Sequence, residues 1–231
     1  MSMYLFGERS DEWLKFRMNY ISATEVASLV GMNSYLSANQ LLFAKRSKDI
    51  DRLDNEHLRD GLIMEPAVFK GLELLGWDVD TLSPRKRSLV FTDEVLKLSS
   101  TPDNFRWDVP ALIEAKKTRA DSFYSNWAGK CPPLRYIVQT QVQMHTTGMP
   151  TCFLVCTYMT DDIPLSVYKI TYSKEFIDSV STLLPAFREA LGIENGKIRI
   201  PTSVREGIAA ILKGTYSFEG IFRHGGRVDG E

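Results

Sequence analysis

The 231-residue sequence predicts a mixed α/β domain with a central mixed five-stranded sheet flanked by helices. Three observations predict it. Element signals run helices, three strands, helices, two strands, helix, an order that suits one sheet covered on its faces. The hydrophobic fraction of 44% and charged fraction of 25% belong to a chain able to bury a core, and no apolar run approaches the roughly 18–20 residues of a membrane span. No internal repeat or low-complexity tract offers another architecture.

Ser10, followed by Asp11 and Glu12, starts a helix carrying Trp13, Phe16 and Arg17, because serine caps free amides and acids face the positive end of the dipole. Ser22 with Glu25 is a capping box, and Gly31 after Val26, Leu29 and Val30 marks a stop. Ser37 with Gln40 repeats the device before Leu41, Leu42 and Phe43. A longer helical pattern over 55–76 carries Leu58, Leu62, Val68, Leu72 and Leu75 and stops at Gly76. Pro66 removes a backbone hydrogen bond inside it, so a kink near Glu65 or a restart at Pro66 is expected.

Short β-type runs follow over 88–91, 95–99 and 111–116, separated by acidic or proline-containing turns. Helical spacing returns over 121–127 and 134–146, then strands over 151–159 and 165–171, then a helix over 174–191. After Gly192 the composition loosens. A short helix is expected over 203–213 and a tail, mobile or tied to a partner, from Phe222 to Glu231, which divides the chain into a catalytic domain at 1–192 and a C-terminal extension at 193–231.

The net charge of −1 does not announce a nucleic-acid binder, yet acidic metal ligands and basic phosphate contacts cancel in a sum while standing apart in space. The basic clusters are Lys45, Arg46 and Lys48; Arg85, Lys86 and Arg87; and Lys116, Lys117 and Arg119, each a solvated face unless something more specific claims it. Three unevenly spaced cysteines, Cys131, Cys152 and Cys156, argue against a disulfide framework and fall short of four iron–sulfur ligands. His57, His145 and His224 lack zinc spacing, and no Walker-type phosphate loop is present. Met1 to Arg9 lacks the basic-then-apolar pattern of a secretory signal, so a cytoplasmic chain is expected.

Chemistry concentrates between Thr101 and Lys116. Proline ends a strand in Thr101-Pro102-Asp103, and the next strand reads Leu112-Ile113-Glu114-Ala115-Lys116. Alternation puts Glu114 and Lys116 on one face, about 6.5–7 Å apart along the strand, and the adjacent strand end can bring Asp103 beside Glu114. Two carboxylates and a backbone carbonyl are hard oxygen ligands that suit Mg²⁺ or Mn²⁺ rather than zinc. A lysine there can orient or deprotonate an attacking water and offset charge developing on a scissile phosphate. An acid, any residue and a lysine is a common tripeptide on exposed strands; the Pro-Asp beside it is what raises its meaning.

The pattern P-D, a gap, then (D/E)-x-K resembles the motif of restriction-endonuclease-like nucleases. The flanking segments resemble the lambda-type phage exonucleases, the YqaJ-like viral recombinase family. Trp13-Leu14-Lys15-Phe16-Arg17 with Ile21-Ser22-Ala23-Thr24-Glu25 looks like the family's opening motif, Gly61 to Glu65 and Pro66 like its G-x-x-x-E helix, and Gln141-Val142-Gln143 like its Q-x-Q helix. Together these motifs span roughly residues 10 to 190.

The resemblance implies a restriction-endonuclease-like core in which Glu65, Asp103, Glu114 and the Ala115 carbonyl hold one or two Mg²⁺ ions, with Mn²⁺ as a substitute and Lys116 and Gln141 around the attacking water. It implies that Arg17 recognises a 5′-phosphate, helped by Thr24 and Thr101, which stand where the family has serines, and by Ser22 at its helix start. The implied activity is 5′ to 3′ digestion of one strand of double-stranded DNA to 5′-mononucleotides, leaving a 3′ overhang for phage recombination. The implied assembly is a ring-shaped homotrimer working with a single-strand annealing protein. Departures are Asn104 in place of a glycine, and Val138 three residues before Gln141 where a tyrosine is expected, with Tyr136 nearby. The segment after Gly192 has no counterpart. An endonuclease of the same superfamily and a non-catalytic DNA-binding module are the alternative readings; closed circular DNA separates the first from an exonuclease, and loss of Mg²⁺-dependent nucleotide release would mark the second.

Overall fold

The computed structural model describes residues 1–7, 10–47, 56–80, 87–160, 162–223 and 226–227. The N-terminal part contains strand β1 (Ser2–Gly7), helix α1 (Asp11–Met18), the short strand β2 (Ile21–Ser22), and helices α2 (Ala23–Leu29), α3 (Ala38–Ser47) and α4 (Glu56–Leu74). Strands β3 (Arg87–Asp93) and β4 (Leu98–Ser100) join β1 and β2 in a four-stranded sheet of order β1-β3-β4-β2, in which β2 and β4 run parallel. Next come β5 (Asn104–Arg106), β6 (Ala111–Thr118), helix α5 (Ala120–Ser122) continuing as a π-helical turn over Phe123–Trp127, α6 (Leu134–Thr147), β7 (Thr151–Tyr158) and β8 (Leu165–Thr171). Helices α7 (Lys174–Gly192) and α8 (Thr202–Lys213) and strands β9 (Tyr216–Arg223) and β10 (Gly226–Arg227) complete the chain.

Strands β5 to β10 form a six-stranded sheet of order β10-β9-β8-β7-β6-β5, in which the β6/β7 pair is parallel and the other pairs antiparallel. Alternation assigns its two faces to different cores. Leu112, Leu154, Cys156 and Tyr168 pack with Val26 and Leu29 of α2, Val138 and Val142 of α6 and Phe176 and Phe187 of α7. Ala111, Ile113, Ala115, Phe153 and Val155 pack instead against Val68, Phe69 and Leu72 of α4. Gly71 permits the close approach of that helix, since a Cβ there would stand 3.0 Å from Leu165.

The mixed α/β class holds, but the strands divide between two sheets instead of forming one sheet of five. Strands β1, β2, β5, β9 and β10 were not expected. The run over 95–99 shortens to Leu98–Ser100, because Lys97 adopts a left-handed φ of 49° in the turn before it. Helix α4 continues through Pro66 without a restart, with its next turns fixed by the burial of Val68, Phe69 and Leu72. Lys48, Asn55, Arg85, Lys86 and His224, and the side chains of His57, Leu58, Gly61, Leu62 and Arg87, lie outside the described residues.

The stretch after Gly192 is no appendage in packing terms. Ile208 and Leu212 of α8 are buried in the same core as α2 and α6, and β9 extends the sheet along β8, so the tail expected from Phe222 begins instead inside a strand. Two residues of the first basic cluster also have internal duties. Lys45 is buried, paired with Glu25 at 3.0 Å and donating to the Tyr20 carbonyl at 2.8 Å. Arg46 donates to the carbonyls of Ala190, Leu191 and Gly196.

Candidate active site

Three neighbouring elements carry the charged centre: the exit of β4, the strand β6 and the helix α6. A hydrogen bond of 2.6 Å between the buried hydroxyls of Ser100 and Thr146 ties the first to the third. Asp103 follows the buried Pro102, and its Oδ2 accepts the Ala115 N–H at 2.9 Å. In an extended strand the N–H and C=O of one residue leave on the same side. The Ala115 carbonyl therefore faces the Asp103 edge, beyond the last β5 pairing at Asn104 with Ile113.

Glu114 is 1% exposed. Its Oε1 accepts from Gln139 Nε2 at 2.6 Å and forms an ion pair with Lys116, while its Oε2 accepts from Gln143 Nε2 at 2.5 Å. Gln139 and Gln143 lie four residues apart on α6, one turn of helix, and so present to the same strand. Lys116 Nζ also stands 5.1 Å from the centroid of the Tyr136 ring.

Burial, and then the neighbouring Asp103 charge, raise the Glu114 carboxyl to about 7 against the opposing pull of Lys116 and Gln143. For Lys116 burial acts downward, but Glu114 and Asp103 outweigh it and hold the ammonium above the ordinary lysine value. The centre thus sets two carboxyl groups beside the charged Lys116, and a further cation there would favour the ionised form of Glu114. Its available oxygens, from Asp103, Glu114 and the Ala115 carbonyl, are all hard, and Mg²⁺ commonly takes one or two protein carboxylates and completes its shell with water and phosphate. The donor set fits that ion.

Among the described residues no three His, Cys, Asp or Glu side chains stand together as a metal site, and Glu65 is half-buried on α4. One expectation needs correction: Gln141 points elsewhere. It donates to the Thr171 carbonyl at 2.7 Å and accepts from the Ser173 N–H at 2.8 Å, pinning α6 to the β8–α7 junction.

Gln139 and Gln143 are the residues that sequence reasoning missed. The available signal was their spacing of four, where a spacing of two turns the side chains to different faces of a helix. With Gln139 in place, the expected tyrosine three residues earlier is Tyr136, and the apparent departure at Val138 disappears.

A second cluster stands at the start of α2. Arg17 Nη2 donates to Ser22 Oγ at 3.4 Å, Ser22 Oγ lies 3.1 Å from Thr24 Oγ1, and the guanidinium stacks 4.5 Å from the Trp13 ring centroid. The Ser22 N–H is capped by Glu25 at 2.7 Å, which completes the expected box from the acid side. Ser22 pairs with Ser99 across β2 and β4, and Asp103 stands four residue steps beyond Ser99. At ~3.5 Å per residue plus one strand spacing, Ser22 and Asp103 lie within about 19 Å of each other. Thr101 lies on that connecting segment and is half-buried.

Among solved structures, the alkaline exonuclease LHK-Exo from Laribacter hongkongensis aligns with a TM-score of 0.59 at 19% identity, over 89% of this chain and 97% of that chain. The same values hold for LHK-Exo in complex with dAMP. At that identity the likeness establishes a shared fold. No curated protein matches the chain by sequence. The model of the YqaJ-like viral recombinase domain matches residues 12–150, well over half of the chain and the whole path from Trp13 through Asp103, Glu114 and Lys116 to Gln143. This chain therefore belongs to the YqaJ-like viral recombinase family.

Proposed function

We propose that the protein is a Mg²⁺-dependent 5′ to 3′ exonuclease that digests one strand of double-stranded DNA from its end, releasing 5′-mononucleotides and leaving a 3′ overhang for recombination by strand annealing. The observation that carries this reading is the buried Glu114, clasped by Lys116, Gln139 and Gln143 beside Asp103. The LHK-Exo fold, an alkaline exonuclease crystallised with a mononucleotide, supports the same substrate class.

Held by Asp103, Glu114 and the Ala115 carbonyl, Mg²⁺, or Mn²⁺ in its place, would polarise the scissile phosphate and favour ionisation of the attacking water. Gln139 and Gln143 fix both oxygens of Glu114 and so preset its orientation. Lys116 stays charged at neutral pH, donates toward the attacking water and offsets negative charge growing on the phosphate. Arg17, Ser22 and Thr24 together offer the guanidinium and hydroxyl donors that a terminal 5′-phosphate needs. A ring-shaped homotrimer would retain DNA by topology despite the net charge of −1, and a single-strand annealing protein and a cytoplasmic setting belong to the same reading.

The test compares linear duplexes carrying 5′-phosphate or 5′-hydroxyl with a closed circle. Lys116→Ala is expected to abolish hydrolysis of every substrate, while Arg17→Ala chiefly erases the preference for the phosphorylated end. Efficient cutting of the closed circle refutes the exonuclease reading and favours an endonuclease.

A further inference from the structure

The Lys116–Tyr136 contact continues outward to the molecular surface. Arg135, the second residue of α6, lies between two rings, its guanidinium carbon 4.5 Å from the Tyr136 centroid and 5.1 Å from that of Tyr35. Its Nη2 also donates to the Tyr136 hydroxyl at 3.2 Å. Lys116, Tyr136, Arg135 and Tyr35 thus form a ladder of alternating cations and rings that leads from the buried centre to solvent. Tyr35 ends it at 78% exposed.

An exposed tyrosine on a loose loop would mean little, but this loop is pinned. The N–H groups of Met32 and Asn33 both bond the Ala27 carbonyl, at 2.8 and 3.0 Å. The Asn33 side chain donates to Ser28 at 3.1 Å and accepts the Tyr35 N–H at 2.9 Å. Among the described residues no carboxylate pairs with Arg135, so its charge remains available to an anion. A fixed, exposed ring beside an uncompensated guanidinium is how proteins hold single nucleotides: the ring stacks on a base and the cation meets a phosphate.

We propose that Tyr35 and Arg135 form a subsite for the nucleotide flanking the cleaved bond, with the Tyr35 ring stacking on its base and Arg135 pairing with its phosphate. The identity of the ligand as DNA rests on the function proposed above; the subsite itself is read from the ladder. Stacking of one base on one ring is worth roughly 5- to 150-fold in affinity, and one phosphate contact contributes about one unit to the slope of log affinity against log salt.

The experiment is fluorescence anisotropy of a labelled, 5′-phosphorylated linear duplex with Ca²⁺ replacing Mg²⁺, so that binding is read without cleavage, and thermal melting confirms that each variant is folded. Tyr35→Ala is expected to weaken binding about ten-fold while Tyr35→Phe leaves it unchanged. Arg135→Gln is expected to lower the salt slope by about one and Arg135→Lys to keep it. Binding by Tyr35→Ala within about two-fold of the unaltered protein, or an unchanged slope in Arg135→Gln, overturns the subsite and leaves the nuclease reading standing. Failure of the unaltered protein to bind any duplex overturns both.

Discussion

Glu114 and Gln141 show how far single residues can be read. Strand alternation is a local rule, so the sharing of one face by Glu114 and Lys116 was legible before any tertiary contact was known. The phase of a helix about its axis is set by what it docks against, and nothing local to the Gln141-Val142-Gln143 segment says which glutamine meets β6. Gln139 and Gln143 hold Glu114, whereas Gln141 is a strut between α6 and the start of α7. Their variants should therefore separate cleanly. Gln139→Ala is expected to reduce kcat about 10- to 100-fold with a small change in melting temperature, as for residues that orient metal-binding groups. Gln141→Ala is expected to cost about 1–3 kcal/mol in urea unfolding, because it leaves the Thr171 carbonyl and Ser173 N–H unpaired, while kcat of the folded fraction stays within about two-fold. The reverse pattern would return Gln141 to the site.

At the level of elements, the long periodic segments were legible: α6 and α7 from their apolar spacing, β7 and β8 from dense β-branched and aromatic runs. The three residues of β5 are too few to show a period, and they form a strand because Asn104, Phe105 and Arg106 pair with β6. Strand β9 was hidden for another reason. Tyr216–Arg223 contains Gly220 at a φ of 142° and meets β8 across a bulge between Val167 and Tyr168, so its alternation is broken where pairing is needed. Loose composition after Gly192 was a poor guide to packing. Leu212 is fully buried between α8 and the main core, and Leu212→Ala is expected to destabilise the whole chain by about 2–5 kcal/mol in a single unfolding transition. A loss below about 0.5 kcal/mol, or a separate early transition, would restore the picture of a detachable extension.

Across the whole molecule, the layering of the six-stranded sheet determines what the site contains. One face meets α4 through apolar side chains, and the other turns Glu114 and Lys116 toward α6 at the edge where Asp103 arrives from β4. The Arg17 cluster reaches the same edge through the β2–β4 pairing, near enough for one DNA strand to touch both. The central claim is that this edge hydrolyses DNA from a phosphorylated 5′ end. The most direct measurement follows a linear duplex with separate labels at the 5′ and 3′ ends of one strand, with Mg²⁺ and then with EDTA. The account predicts early release of the 5′ label as a mononucleotide, late loss of the 3′ label and no release in EDTA. Early release of the 3′ label, or undiminished release without a divalent metal, would contradict it.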